Sequence, residues 1–522
     1  MHILLYGPPG SGKTTLGAKL AASLMRPFTD LDEAIQQQTG SSIPAIFEQQ
    51  GEPAFRQLES EMLEQCLSQT RETVIALGGG ALLAPANRQL AETQGQVLCL
   101  TAARDVLVAR LTSSAPTRPL LAGNLDQRMQ TLLAQRQAHY ASFVNRLNTD
   151  GMDEKETLWQ AQVLLGTFHI TGMNTDCDLR IRPGSLTNLG KEMQQCGLKG
   201  PVVLVSDDNV AALYGQQAQN SLEQWEYQVT AVTLPSGETH KHIHTVARIW
   251  ESCAAAGLER GSTIVALGGG VVGDQAGFAA ATFLRGLPWV NVPTSLLAMV
   301  DSSLGGKTGA NLPQGKNLIG AFHAPRLVLI DPDLLHTLPE AELRSGLGET
   351  VKHGVIADPQ LFELCATGVD AIKQDFTRLV RQAAAVKVKI ILQDPYENDL
   401  RQALNLGHTI GHGVELACGL QISHGEAVAI GMIAEARLAE QKELAKPGLA
   451  DQLRCVLREL GLQTELPEGI DLQAVVRAMK LDKKRADGLV RFALPIKVGE
   501  VRVGVVVPDW ENWILKQNHE EN

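Results

Sequence analysis

The segment GPPGSGKT, residues 7–14, gathers glycines, a lysine and a hydroxyl into one short turn. Free backbone N–H groups and the N-terminus of a following helix cradle phosphate oxygens in such a loop. Lys13 then reaches the β- and γ-phosphates, and the Thr14 hydroxyl ligates magnesium. The pattern identifies a nucleoside triphosphate site and leaves the phosphoryl acceptor open: water, protein or a small alcohol. Asp30 and Asp32, in FTDLD, bring two carboxylates close to the phosphates. One suits magnesium and the other suits taking a proton from an attacking hydroxyl, although either alone also suits capping the next helix. Arg56, Arg118 and Arg136 are separated guanidiniums fit to grip a small anion, and TSSAPTRPLLAGN around Arg118 reads as a lid.

A second set of reactive residues lies downstream. GETHK (237–241) and GGGVVGD (268–274) each follow a strand-like run, as dinucleotide-binding turns do, though neither is GxGxxG. VDSSLGGKTGANLPQGKN then presents Lys307 and Lys316 on glycine-rich loops, point charges suited to phosphate or carboxylate. His408 and His412 are spaced i,i+4 and share a helix face, so spacing alone pairs them as metal ligands. His424 and Glu349 are the further candidates. Two or three imidazoles and a carboxylate, with one position open to substrate, make a catalytic zinc arrangement. The alternating HKHIH at 240–244 reads as an exposed cluster instead.

These residues need two scaffolds. HILLY before the first loop reads as a buried strand and TTLGAKLAASL after it as a helix; VIALGGG and VLCL continue the alternation. Such alternation predicts a parallel sheet with helices on both faces. The stretch GTFHITGMNTDCD (166–178) has no clear periodicity, and the junction is placed near residues 166–175. PVVLVSDD, TAVTLPSG, TIVALGGG and WVNVPTS form a second alternating region, after which long helical stretches take over from about residue 331. The predicted organisation is α/β: a P-loop domain over 1–168, an NAD-binding α/β part over 172–330, and a mainly helical metal-binding part over 331–522. The echo of VIALGGG in IVALGGG is a cheap strand-and-turn solution rather than a duplication.

Bulk properties narrow the class. The 522 residues exceed one core. A net charge of −11 without a lysine/arginine run argues against nucleic acid or an anionic membrane as partner. Eight scattered cysteines without a CxxC pair fit a reducing cytoplasm, and MHILLYG lacks a basic leader. No apolar run reaches the roughly 18 residues of a membrane helix.

Across about the first 165 positions the chain resembles shikimate kinase, through GPPGSGKTTLG, FTDLDEAI, IFEQQGEPAFRQLE, ALGGG, TRPLL and a later RxxxY. The resemblance implies ATP held by Gly10, Ser11, Gly12, Lys13, Thr14 and Thr15 with Arg118 closing over it. It implies magnesium on Thr14 and Asp30, and Lys13 and Asp32 in catalysis, with Asp32 holding a ring hydroxyl. Arg56 and Arg136 would grip the shikimate carboxylate, and Gly78, Gly79 and Gly80 would wall the pocket. Adenine contacts near 146–152 have no clear counterpart.

From about residue 175 onward the chain resembles 3-dehydroquinate synthase, through GETHK, GGGVVGDQAGFAAATFLRG, PTSLLAMVDSSLGGKTGANLPQGKNLIGAF, GLGETVKHG, LNLGHTIGHGVE, HGEAVAIGM and LDKK. This implies zinc, or cobalt, on Glu349, His408 and His424, with His412 facing the substrate, which overrides the spacing-based pair. NAD would be held by Asp207, Glu238, Lys241, Gly270, Val271, Val272, Gly273, Asp274, Thr294 and Ser295, with Lys307 and Lys316. Asp301, Asn317, Lys352, Lys387, Arg401, Asn405 and His412 would line the heptulosonate pocket; Lys307, Lys352 and His412 would act in catalysis. Arg285 would reach a neighbouring subunit's site, implying a homodimer. LDKK leaves Lys483 and Lys484 undecided. The implied activities are shikimate phosphorylation and NAD- and metal-dependent cyclisation of 3-deoxy-arabino-heptulosonate 7-phosphate. The alternatives are another small-alcohol kinase, a cyclase making an inosose- or valiolone-type ring, and a first domain that only senses nucleotide. The two reactions are not consecutive, so channelling between them is not implied.

Overall fold

The computed structural model describes residues 1–113, 124–397, 399–419, 421–483 and 489–516. It falls into two compact units, Met1–His169 and Ile170–Asn522.

The first unit is built on a five-stranded parallel sheet, in the order Phe28–Asp30, Val74–Ala76, His2–Tyr6, Gly95–Thr101, Asn145–Asn148. A parallel sheet covered on both faces needs apolar residues on both sides of each strand, which is why HILLY is buried throughout. Alternate side chains serve opposite cores: Leu4 and Tyr6 join one cluster, Ile3 and Leu5 the other. The phosphate loop leaves the end of His2–Tyr6 and enters the helix Lys13–Ser23 through Gly12, whose φ of 90° only glycine adopts without strain. The long helix Ile43–Leu67 is interrupted at Gly51 (φ 80°), and Pro53 restarts it, turning Arg56 and Glu59 inward.

In the second unit a parallel sheet runs Cys177–Ile181, Leu327–Ile330, Trp289–Pro293, Thr263–Gly268, Val202–Asp207, Val229–Leu234. The helix Gly270–Thr282 starts directly from the end of Thr263–Gly268, so its free N–H groups face the carboxyl edge of the sheet. Two segments differ from the sequence-based reading. Residues 166–178 contain the strand Thr167–Ile170 and the first two residues of the strand Cys177–Ile181, pieces too short to register as periodic. The lysine-bearing loops form an antiparallel hairpin, Lys307–Leu312 with Gly315–Phe322. Gly309 and Gly320 lie opposite each other there, and a Cβ on Gly309 would meet the Gly320 Cα at 3.2 Å. Those glycines look like loop residues in sequence, but they permit close backbone approach within a strand pair.

Helices Glu340–Ala357, Phe376–Gln393, His408–Ala417 and His424–Gln441 follow. From 345 to 356 every residue is buried, which explains why this helix lacks a simple amphipathic pattern. Helices meet here over glycine. A Cβ on Gly348 would meet the Gly425 carbonyl at 2.6 Å, and one on Gly411 would meet the Ala427 carbonyl at 2.6 Å. These close approaches set three reactive side chains against one another. Among the described residues no helix is long and apolar enough to cross a membrane.

Candidate functional sites

In the first unit a cavity of about 980 Å³ is lined by the phosphate loop, Asp30, Asp32, Arg56, Gly78, Gly79, Gly80 and Arg136. Gly10, Ser11, Gly12, Lys13, Thr14 and Thr15 all face it. The Lys13 ammonium donates to the carbonyls of Gly7 (2.9 Å) and Pro8 (3.0 Å). The Thr14 hydroxyl donates to Asp30 Oδ2 at 2.7 Å, while Asp30 Oδ1 caps the next helix by accepting from the Asp32 and Glu33 amides. One carboxylate thus caps the helix with one oxygen and meets the Thr14 hydroxyl with the other. Hydroxyl and carboxylate oxygens side by side are hard donors of the kind magnesium takes.

The acceptor end of the cavity is arranged around backbone carbonyls and acids. Arg56 pairs with Glu59 (2.7 Å) and Glu52 (3.0 Å), which keeps its guanidinium cationic despite the opposing effect of burial. A Cβ on Gly80 would meet Arg56 Nη2 at 2.8 Å, and one on Gly78 would meet Asp32 Oδ1 at 3.2 Å. The glycines therefore leave the charged groups access to the space. Arg136 donates to the Gly79 carbonyl at 2.9 Å, and Tyr140 donates to the same oxygen at 2.9 Å. Arg118 and the surrounding lid segment lie outside the described residues. Sequence reasoning missed Arg110, which lines the cavity and donates to Thr149 Oγ1 at 2.9 Å, beside the 146–152 stretch where no adenine contact could be placed.

The second unit holds a cavity of about 1350 Å³. One end is lined by Asp207, Glu238, Lys241, Gly270, Val271, Val272, Asp274, Thr294 and Ser295. Gly273 turns instead against Asn291. Lys241 joins Asp274 (2.5 Å) and Asn317 Oδ1 (2.6 Å), locking the GETHK turn to the helix and hairpin. A helix N-terminus and glycine turn at the carboxyl edge of a parallel sheet fit a dinucleotide pyrophosphate. Lys316, Asp301, His412 and His424 line the other end.

Behind it Glu349 is fully buried, and its Oε1 lies 3.3 Å from His408 Nε2 and 3.2 Å from His424 Nε2. Burial alone raises a carboxyl pKa, but Lys352 and the two imidazoles hold Glu349 well below the carboxylate range. His424 is raised to about 9: burial opposes its charge, but Glu349 and Glu415 outweigh it. A proton on His424 Nε2 thus occupies the gap to Glu349 that a divalent ion can take. One donor atom from each of Glu349, His408 and His424 lies within 4.8 Å of the others, and the mixed N/O set fits zinc or cobalt. His412 stands beside them, ring centroid 5.1 Å from His408, pressed to a pKa of about 3 by burial and then by both neighbouring imidazoles.

Of the remaining sequence-predicted residues, Lys352 is buried in an ion pair with Glu349, and Lys387 donates to Asp301 at 2.7 Å. Burial raises the Asp301 carboxyl, but Lys387 and Lys352 hold it well below its usual range. Arg401 is buried, donates to the Pro395 carbonyl, and lies where a Cβ on Gly305 would strike it. Lys307 pairs with Glu397, a residue at φ 64° that carries no local signal in the sequence. Asn405 is exposed and outside the cavity wall. Arg285 is also exposed, at φ 67° beside Leu284 at 49°, outside the cavity wall. The Lys483 side chain and Lys484 lie outside the described residues. His240 and His242 are half-buried and His244 is exposed, and none belongs to a cluster with metal-ligand geometry. Glu415 was also missed, although it sits seven residues after His408 on the same helix face.

Residues 9–164 match the family model described as shikimate kinase. Residues 231–345 and 346–485 match the N- and C-terminal models of 3-dehydroquinate synthase. A 3-dehydroquinate synthase of Nostoc punctiforme is 44% identical over 338 residues, covering 63% of this chain and 93% of the relative. Among solved structures, the 2-epi-5-epi-valiolone synthase ValA of Streptomyces hygroscopicus, with NAD+ and Zn2+ bound, is 28% identical (TM-score 0.61; 68% of this chain, 99% of that one). A 2-deoxy-scyllo-inosose synthase complexed with carbaglucose-6-phosphate, NAD+ and Co2+ is 27% identical (TM-score 0.61; 67% and 99%).

Proposed function

From the premise that this chain belongs to the 3-dehydroquinate synthase family and carries a shikimate kinase domain ahead of it, we propose how its residues divide two reactions. It is a bifunctional shikimate-pathway enzyme. One half phosphorylates shikimate with ATP and magnesium; the other converts 3-deoxy-arabino-heptulosonate 7-phosphate to 3-dehydroquinate, releasing phosphate, with NAD and zinc or cobalt.

In the kinase half Lys13 and the loop amides neutralise the phosphates, and Thr14 with Asp30 holds magnesium. Arg56 and Arg136 hold the acceptor's carboxylate. Asp32, lining the cavity beside the Gly78 backbone where a side chain would crowd it, takes the ring-hydroxyl proton as that oxygen bonds to the γ-phosphorus and the bond from that phosphorus to the bridging oxygen of ADP breaks.

In the synthase half Glu349, His408 and His424 hold the metal, while the turns ending in Glu238–Lys241 and Gly270–Asp274 hold NAD. A metal held by those three residues would supply Lewis-acid polarisation of a substrate hydroxyl, and NAD held by those turns would supply a reversible hydride acceptor. Lys387 keeps Asp301 ionised and turned to the substrate. Arg401 and Lys352 present cationic groups to the substrate's anionic and oxygen-bearing positions, and neutral His412, in the cavity wall, offers a ring nitrogen as a hydrogen-bond acceptor toward the substrate. Lys307 exchanges Glu397 for phosphate.

The observation that carries this reading is the sharing of one buried Glu349 oxygen by two imidazoles from different helices, at the wall of a cavity shaped for a dinucleotide. The test is phosphate release from the heptulosonate phosphate beside uncarboxylated heptulose phosphates, together with shikimate-dependent ADP release. Turnover of only the uncarboxylated substrates, or ATP binding without shikimate-dependent turnover, overturns the corresponding half.

The strained backbone at Leu284–Arg285, on an exposed corner, supports a homodimer in which Arg285 serves the partner's cavity. Mixing Arg285→Ala with His408→Ala chains should then restore about a quarter of native synthase activity, since half the dimers combine one intact set of groups. No recovery on subunit exchange counts against it. Eight free cysteines support a reducing cytoplasm.

A further inference from the structure

Three candidate ligands surround the proposed metal position, but they are not held equally well. Glu349 is fully buried, and the His408 side chain is 15% exposed. The His424 side chain is 30% exposed and comes from the first residue of its helix, just past a Ser423–Glu426 capping box. An imidazole can present either nitrogen after a ring flip, so a ligand at a helix end needs a second partner to fix which nitrogen points inward.

Glu415 supplies that partner. His424 Nδ1 lies 3.5 Å from Glu415 Oε2, on the side of the ring opposite the Nε2 that faces Glu349. Glu415 is more than nine-tenths buried, and its other oxygen accepts from Lys316 Nζ at 2.8 Å. The carboxylate is thereby held at both oxygens, one by the hairpin and one by the imidazole. His408, His412 and Glu415 follow at i, i+4 and i+7, so a single helix face supplies one ligand, a substrate-side histidine and this acid.

We propose that Glu415 is a positioning residue for the metal site, accepting Nδ1–H of His424 so that Nε2 is left free for the ion, with Lys316 anchoring the acid. A carboxylate behind a metal-bound imidazole fixes its tautomer and raises its basicity, and loss of such a partner typically weakens metal binding about 10- to 100-fold. The inference rests on the synthase reading for the presence of a metal, and not on the identity of the substrate.

The test uses the full chain stripped of metal, then titrated with zinc against a chromophoric chelator, alongside the visible spectrum of the cobalt form. Glu415→Ala should lower zinc affinity about 10- to 100-fold and alter the cobalt bands. Glu415→Gln, which keeps an acceptor of the same shape without its charge, should fall between that variant and the native chain. His424→Ala marks the effect of losing a ligand outright. Affinity and cobalt spectra that stay native in both Glu415 variants while His424→Ala loses affinity overturn the proposal. Native zinc binding without heptulosonate turnover would remove the functional reading but leave this comparison standing. A native chain that binds no zinc ends both.

Discussion

Asp30 performs two tasks with two oxygens, and the tasks can be separated. Oδ2 accepts from Thr14, and Oδ1 caps the helix Leu31–Thr39. Asparagine is as good a cap as aspartate, whereas alanine caps poorly. Asp30→Asn should therefore leave the melting temperature of the kinase half nearly unchanged while raising the magnesium needed for shikimate-dependent ADP release. Asp30→Ala should show the same loss of function and about 1 kcal/mol less stability. Equal stability loss in both variants would place the role of Asp30 in the fold alone. The residue scale is also where the sequence is most and least readable. The phosphate loop could be read because its chemistry is local: six adjacent residues line one cavity. The metal donors proposed above could not be read from spacing. The i,i+4 rule joins His408 to His412, but the donors nearest Glu349 Oε1 are His408 and His424. Glycine contacts between helices decide that, and no single-chain periodicity reports them. Glu397 had no local signal at all, and its pairing with Lys307 exists only once the chain is folded.

At the scale of elements, a buried charge cluster fastens the helix Leu189–Gln195 to the strand Cys177–Ile181. Glu192 bridges Arg180 and Arg182, the latter at 3.0 Å, and Arg180 also reaches Asp178 at 2.9 Å. Burial raises the Glu192 carboxyl, but Arg182 and Arg180 outweigh it and set its pKa at about 2. Nearby Arg381 is lowered to about 10, by burial and then by Arg182, which shows how crowded with positive charge this region is. Removing the acid takes the Glu192 counter-charge from buried Arg182 and leaves Arg180 to Asp178, so Glu192→Leu should destabilise the second unit by roughly 3–5 kcal/mol in urea unfolding at neutral pH. The acid's folded pKa is lower than its unfolded one. Its contribution is therefore complete above about pH 4.5 and is lost as pH falls toward 2. The native chain should lose stability through that window, and Glu192→Leu should lose less of it. A variant as stable as the native chain at pH 7 would contradict this account. The same elements show why the hairpin after Leu304 reads as loop in sequence. Its glycines permit cross-strand contact, a use of glycine that composition cannot distinguish from a turn.

At the scale of the whole chain, each unit has its own sheet, core and cavity, the first cavity lined by described residues between Pro9 and Thr157 and the second by described residues between Asp207 and Met479. The relative from Nostoc punctiforme meets 93% of its own length with 63% of this chain, so a synthase of that family is complete without a kinase half. The two sites also differ in the donors they offer a metal. Thr14 and Asp30 supply oxygen alone, which suits magnesium; Glu349, His408 and His424 supply two imidazole nitrogens and one oxygen, which suit zinc or cobalt. A nitrogen-donor chelator such as phenanthroline competes strongly for zinc and cobalt and weakly for magnesium. Treating the full chain with it, in excess magnesium, should abolish phosphate release from the heptulosonate phosphate and leave shikimate-dependent ADP release at its starting rate. Adding zinc or cobalt back should restore the first activity without changing the second. Were both rates to fall together and recover together, one metal-dependent element would have to serve both sites. A synthase rate that survives complete metal removal would instead strip Glu349 and its two imidazoles of the role given to them here, whatever their geometry.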